Sequence, residues 1–278
     1  MRENNNGYLL IIGGAEDKRG DRSILAQAAD MVRKDEILTI VTTATNYPEE
    51  VGQEYKDVFY NLGVDNINIL NIESREDANS EEVCDVIRRS KCIFFTGGDQ
   101  LRITSILGGT KANNELQYLY QDGGFIMGTS AGASAMSSTM IVQGNDNEPA
   151  RKCTLKMAPG LGLIENCIID QHFDQRGRFG RLLCGIAENP NVIGIGIDEN
   201  TAIKVYPDIH FKVIGENSVT VIDGSTIQSS NVAELEPNEL LAIVGVTVHI
   251  LPYGYGYDMK AKEVIKVDQY NGDEDEDY

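Results

Sequence analysis

Short apolar runs punctuate the first half of the chain at Tyr8–Ile12, Ile37–Thr42, Ile67–Ile72, Cys92–Phe95 and Phe125–Met127. Runs of this length, bounded by turn-forming residues, predict buried strands. Between the first two, Ile24, Leu25, Ala28, Met31 and Val32 recur at helical spacing and form a stripe that would cover one face of a sheet. Strands alternating with helices predict a parallel β/α arrangement. From Thr201 onward the pattern changes, and Ile203–Tyr206, Phe211–Ile214, Val219–Ile222 and Leu241–Leu251 alternate in the manner of an antiparallel extension. No long linker and no internal repeat divides the chain. A single α/β domain is therefore expected over residues 1–271, followed by an acidic tail over 272–278.

In sheets of this kind functional groups collect at the carboxyl ends of the strands, where Gly13, Gly97, Ser130 and His172 all fall. Gly128-Thr129-Ser130-Ala131-Gly132 follows an apolar run and precedes small residues suited to a helix. A serine so flanked fits a nucleophile elbow, a strand-to-helix turn too tight for side chains at the two glycine positions. Taken alone, the pattern is also that of an ordinary glycine-rich turn. Gly13-Gly14 does not extend to a dinucleotide-binding fingerprint.

An elbow serine needs a base, and the chain contains three histidines. His210 and His249 sit within alternating stretches, where an outward-facing strand histidine is the plainer reading. His172 lies where Ile168-Ile169-Asp170-Gln171-His172-Phe173 breaks into an arginine-rich segment, and it is the candidate base. The third member should be a carboxylate that fixes the imidazole tautomer. Val192–Ile197 reads as a buried strand ending in Asp198-Glu199, which makes Glu199 the candidate and Asp198 the alternative. The chain order Ser130, His172, Glu199 differs from the Ser, acid, His order of α/β-hydrolases, so another fold is expected. Thr96-Gly97-Gly98-Asp99-Gln100 ends a further strand, and the Gly98 amide, paired with that of Ala131, is a candidate oxyanion hole.

Together these segments resemble the cyanophycinases, serine exopeptidases of the peptidase E-like family S51. The resemblance rests on five blocks in order: Ile11 to Asp17, Phe95 to Gln100, Gly128 to Ala133, Asp170 to Phe173 with Gln175-Arg176, and Gly196 to Glu199. It implies a mostly parallel sheet flanked by helices, related to class I glutamine amidotransferases, with additional C-terminal antiparallel strands. It also implies the substrate cyanophycin, a polyaspartate bearing arginine on each β-carboxyl, cleaved to β-Asp-Arg dipeptides. By the same resemblance Ser130 is the nucleophile, His172 the base and Glu199 its orienting acid. Gln100, Glu148, Asp170, Gln171, Arg176, Arg178 and Arg181 fall where the substrate pocket is built. A homodimer is implied in the same way. Residues beyond about Val205 carry little of the resemblance.

Phe179, Leu182, Leu183 and Ile186 give the segment Arg176–Glu188 a helical apolar stripe, with Arg178 and Arg181 three apart on a neighbouring face. Such arginines ordinarily face solvent. Here they follow the candidate base closely, and guanidinium groups hold carboxylates through paired hydrogen bonds, so they are candidates for aspartyl carboxylates. Glu148 and Asp170 are in turn candidates for a substrate guanidinium.

Charge and composition narrow the picture further. A net charge of −19 argues against nucleic-acid binding, which requires a basic surface. The run Asp273–Asp277 is expected to be a solvated, disordered tail. Five scattered cysteines without Cys-x-x-Cys spacing suit free thiols in a reducing compartment. No apolar run approaches a signal-peptide core or a membrane span, so the cytoplasm is the expected location. No metal or organic cofactor is expected, since no histidine-rich ligand cluster is present. Two other readings stay open from the residues: a dipeptidase acting on short Asp-containing peptides, and a non-catalytic binding protein on the same scaffold.

Overall fold

The computed structural model describes residues 6–152 and 154–266. The first apolar runs form β1 (Tyr8–Ile12), β2 (Leu38–Val41), β3 (Ile67–Leu70), β4 (Cys92–Phe95) and β5 (Phe125–Thr129). They are joined by α1 (Ser23–Asp30), α2 (Pro48–Asn61), α3 (Glu81–Arg89), α4 (Gln100–Leu107) and α5 (Lys111–Gln121). These five strands lie parallel in the order β1-β5-β4-β2-β3. The chain continues through α6 (Ala131–Ala135), β6 (Thr139–Gly144), β7 (Leu155–Pro159), β8 (Cys167–Gln171), α7 (Phe179–Glu188) and β9 (Ile193–Ile197). It ends in β10 (Thr201–Val205), β11 (His210–Gly215), β12 (Ser218–Asp223), β13 (Ser229–Ser230), β14 (Ile243–Val244), β15 (Thr247–Pro252), β16 (Tyr255–Asp258) and β17 (Glu263–Lys266).

The expected parallel sheet with antiparallel C-terminal strands is present. β10, β11, β16 and β17 extend the β1 edge, giving a nine-stranded mixed sheet. The extension is nevertheless divided between two sheets: β12 and β15 join β9 and β8 in a separate four-stranded sheet. Alternation along a strand specifies which side chains are buried but not which strand is the neighbour. The run Leu241–Leu251 is also broken, because Gly245 turns the backbone at φ 86° between β14 and β15. The acidic run Asp273–Asp277 lies outside the described residues.

β1 is buried on both faces, as expected of a central parallel strand. Leu9 and Ile11 enter the principal core, which also takes Phe95, Ile169, Ile195 and Val219 and so joins the two sheets. Leu10 and Ile12 face the opposite way, toward Ile24 and Leu25 of α1 and Phe59 of α2. In β9 the same division of faces explains the sequence Ile-Gly-Ile-Gly-Ile. Ile193, Ile195 and Ile197 point into the principal core, while the glycine face receives Phe173 and α7. A Cβ at Gly194 would lie 3.0 Å from Leu182 and Ile186, and one at Gly196 would lie 2.4 Å from the Phe173 ring.

Phe173 adjoins the candidate base, so this packing fixes the end of β8. Gly196→Ala should therefore destabilise the protein by about 1–3 kcal/mol, the usual scale of overpacking. Urea denaturation would measure the effect; an unchanged midpoint would show that Phe173 can move aside freely.

Candidate active site

β5 ends in Thr129, and Ser130 follows at φ 52°, ψ −109° before α6 begins at Ala131. A non-glycine residue in this region is strained and persists only where its surroundings hold it. The Ser130 amide donates to the Ile12 carbonyl at 3.0 Å. The flanking glycines are steric necessities: a Cβ at Gly132 would lie 2.5 Å from the Phe95 carbonyl oxygen, and one at Gly128 would lie 2.7 Å from the Gly132 backbone. This is the elbow expected from the sequence.

His172 leaves the end of β8 with φ 48°, its amide donating to the Gly13 carbonyl at 2.8 Å. Its Nε2 lies 3.0 Å from Ser130 Oγ. On the other side, Nδ1 lies 2.6 Å from Glu199 Oε1. Glu199 occupies the short link between β9 and β10, where the Gln175 side chain holds its amide at 2.9 Å. Asp198, the alternative acid, points elsewhere: its carboxylate accepts from the Asp174 amide at 3.0 Å and from the Ser218 hydroxyl at 2.8 Å. Burial lowers the His172 pKa from its ordinary value, against the raising effect of the Glu199 bond, and the nearby Arg176 charge lowers it further. The neutral imidazole that a base requires is thereby favoured. Gly97 packs beside the serine, and the amides of Gly98 and Ala131 donate to no protein acceptor among the described residues.

The other expected pocket residues divide into engaged and open groups. Asp170 is 1% exposed, and its carboxylate is held by Arg181, through Nε at 2.6 Å and a second bond from Nη2, and by Arg178. Its carboxylate, a candidate for a substrate guanidinium, is thus engaged by guanidiniums of this chain. Arg178 and Arg181 are likewise buried rather than facing solvent, Arg181 from within α7. Arg178 precedes α7 at its N-cap, because the segment turns tightly after His172 and the helix starts only at Phe179. Both guanidiniums also bond Asp146 Oδ1, at 2.9 and 3.1 Å. Arg178 further donates to the Gln171 carbonyl, directly behind the catalytic candidates. Gln100 donates its amide to the Ile141 and Val142 carbonyls at 2.9 and 3.3 Å, which anchors β6. Gln171 Oε1 lies 3.4 Å from Ser130 Oγ. Arg176 and Glu148 remain exposed, Glu148 bonded to Asn145 at 2.9 Å.

Asp146 was missed in the sequence, where nothing distinguishes it from its polar neighbours in the turn Gly144–Glu148. The other histidines take no part in this site. His210 is buried rather than outward-facing, its ring stacked on Tyr206 at 4.4 Å, and His249 packs near Tyr257.

A serine, an imidazole and a carboxylate in line at a strand-end elbow define a hydrolase-type site, and the sequence comparisons agree in class. The chain belongs to peptidase family S51, which it matches over residues 9–212. It is thus a peptidase. It is 35% identical over 260 residues to the cyanophycinase of Synechococcus elongatus, covering 93% of this chain and 81% of that protein. It is 32% identical over 265 residues to the cyanophycinase of Geminocystis herdmanii, covering 95% and 97%. The fold is similar to the crystal structure of a peptidase from an acI-B1 Actinobacterium, with a TM-score of 0.64 at 23% identity, over 94% of this chain and 97% of that one. Among the described residues no helix is long and apolar enough to cross a membrane.

Two outcomes follow from this geometry. Asp170→Asn leaves two buried guanidiniums short of a counter-charge and should cost about 3–5 kcal/mol in urea denaturation; a loss below about 1 kcal/mol would show that Asp146 alone suffices. The second concerns His172, which loses its capacity as base when protonated. Activity should fall as pH drops through its folded pKa, so the acid limb of kcat/KM should centre below 6.5, the ordinary imidazole value. Glu199→Gln should move that limb lower still and reduce kcat by up to about 10⁴-fold. A limb that stays in place would detach Glu199 from the imidazole.

Proposed function

We propose that this protein is a cyanophycinase, a serine-type exopeptidase that hydrolyses the aspartyl backbone of cyanophycin to β-Asp-Arg dipeptides through an acyl-enzyme. The observation that carries the reading is the continuous relay from Ser130 Oγ through His172 to Glu199, with separations of 3.0 and 2.6 Å. The similarity to proteins named cyanophycinase over more than nine-tenths of the chain supports the substrate.

In this mechanism His172 Nε2 accepts the Ser130 proton as Oγ attacks the scissile carbonyl carbon. The Nδ1 proton is held by Glu199, which fixes the tautomer and stabilises the imidazolium. The Gly98 and Ala131 amides receive the developing oxyanion. The imidazolium then delivers its proton to the leaving amine, and water, deprotonated by His172, releases the aspartyl product from Ser130. Substrate recognition falls to the open groups. Arg176 suits an aspartyl carboxylate and Glu148 an arginine side chain, with Gln171 and the side-chain amide oxygen of Gln100 at the pocket wall. Asp170, Arg178 and Arg181 hold that wall from behind.

The test is direct. Purified cyanophycin incubated with the protein should give β-Asp-Arg by mass spectrometry, and Ser130→Ala should lose on the order of 10⁶-fold in kcat while remaining folded. Plain polyaspartate should be a poor substrate. Glu148→Gln should weaken arginine-bearing substrates by about 1.5–3 kcal/mol and spare short peptides lacking arginine. Efficient wild-type cleavage of an Asp-containing dipeptide or of plain polyaspartate would favour a dipeptidase instead.

A further inference from the structure

The turn after β1, Gly13-Gly14-Ala15-Glu16-Asp17, belongs to the sequence pattern but contributes no group to the relay. Its carboxylate at Glu16 is nonetheless buried, 5% exposed. Glu16 Oε2 accepts from Thr129 Oγ1 at 2.6 Å, and Oε1 accepts from the Tyr55 hydroxyl. Both donors are neutral, and among the described residues no lysine or arginine forms an ion pair with Glu16. A buried carboxylate held only by two hydroxyls is costly unless both bonds are kept.

The placement of those bonds is informative. Thr129 is the residue before Ser130, at the root of the strained elbow. The same turn touches the other two members of the relay. The Gly13 carbonyl accepts from the His172 amide, and a Cβ at Gly14 would lie 2.5 Å from the imidazole Cε1. The Gly14 carbonyl accepts from the amide of Asn200, next to Glu199, at 2.9 Å. Burial, and then the neighbouring Glu16 carboxylate, push the Tyr55 pKa well above its ordinary value, so the phenol remains a donor. Its ring packs against Phe94 at 4.7 Å, which holds the hydroxyl in place from the sheet side.

We infer that Glu16 is a positioning residue, a buried carboxylate that ties the Thr129 side chain to the turn against which His172 is held and so sets the separation of Ser130 Oγ from the imidazole. Tyr55 holds the carboxylate in the orientation that reaches Thr129. This rests on the reading of Ser130 as nucleophile.

A fluorophosphonate probe, which reacts only with an activated serine, reports the alignment independently of polymer binding. Thr129→Val, folded by near-ultraviolet circular dichroism, should lower kcat and the labelling rate together by about 10- to 100-fold, the scale of a small misalignment, with KM unchanged. Thr129→Ser retains the hydroxyl and should restore both. Glu16→Gln should also lower both, and Thr129→Val in that background should add little, because the two groups share one bond. If Thr129→Val does not fold, Tyr55→Phe, which keeps the ring packing, serves the same comparison. Wild-type labelling rates in the folded variants, or a serine variant as slow as the valine, would overturn the inference. An unlabelled wild type would overturn the nucleophile reading itself, and with it this one.

Discussion

The site exists because two sheets meet at one point. Ser130 stands on the nine-stranded sheet, His172 at the end of β8 in the four-stranded sheet, and Glu199 in the link that carries the chain from one to the other. The joint is made by backbone: the His172 amide reaches the Gly13 carbonyl, and Gly13 runs so close to Asp198 that a Cβ would lie 2.1 Å from its carbonyl oxygen. Hydrogen bonds of this kind are directional and short-ranged, so a small shift between the sheets would open the relay. The shared core, to which β1, β5, β8 and β9 all contribute, resists that shift.

Much of this arrangement was legible in the chain. Five apolar runs gave five parallel strands, and Gly128 and Gly132 marked the elbow because their hydrogens alone fit beside Phe95 and each other. The order of Ser130, His172 and Glu199 could be assigned because each follows a strand that aims its carboxyl end at the same rim. Partner choice was not legible. Nothing in the alternation of Val219–Ile222 distinguishes pairing with β9 from pairing with the β1 edge, since each satisfies the same pattern. Nor does spacing reveal that Arg178 and Arg181 turn inward, because that depends on Asp170 and Asp146 arriving from separate segments. Glu16 was visible only as part of a motif, its partners Tyr55 and Thr129 being distant in sequence.

The charge balance near the relay follows the same logic. The chain carries a net charge of −19, yet behind Gln171 two buried arginines are held by the buried Asp170 and by the exposed Asp146. Paired charges of this kind add little stability by themselves but penalise any arrangement that separates them. Their contribution is to fix Gln171 and the segment after His172, leaving the exposed Arg176 to act on the imidazole from solvent.

The hairpin of β6 and β7 packs beside this arrangement without carrying a relay residue. Among the described residues its two strands form a sheet of their own, bonded by Gln100 at the start of α4 and, through Asp146, by the buried arginines. Glu148 rides on the loop between its strands. The relay residues and Glu148 are therefore carried on different pieces of chain. During divergence the loop can lengthen, shorten or exchange its charges while the two-sheet joint stays intact, because surface loops tolerate change that a packed joint does not.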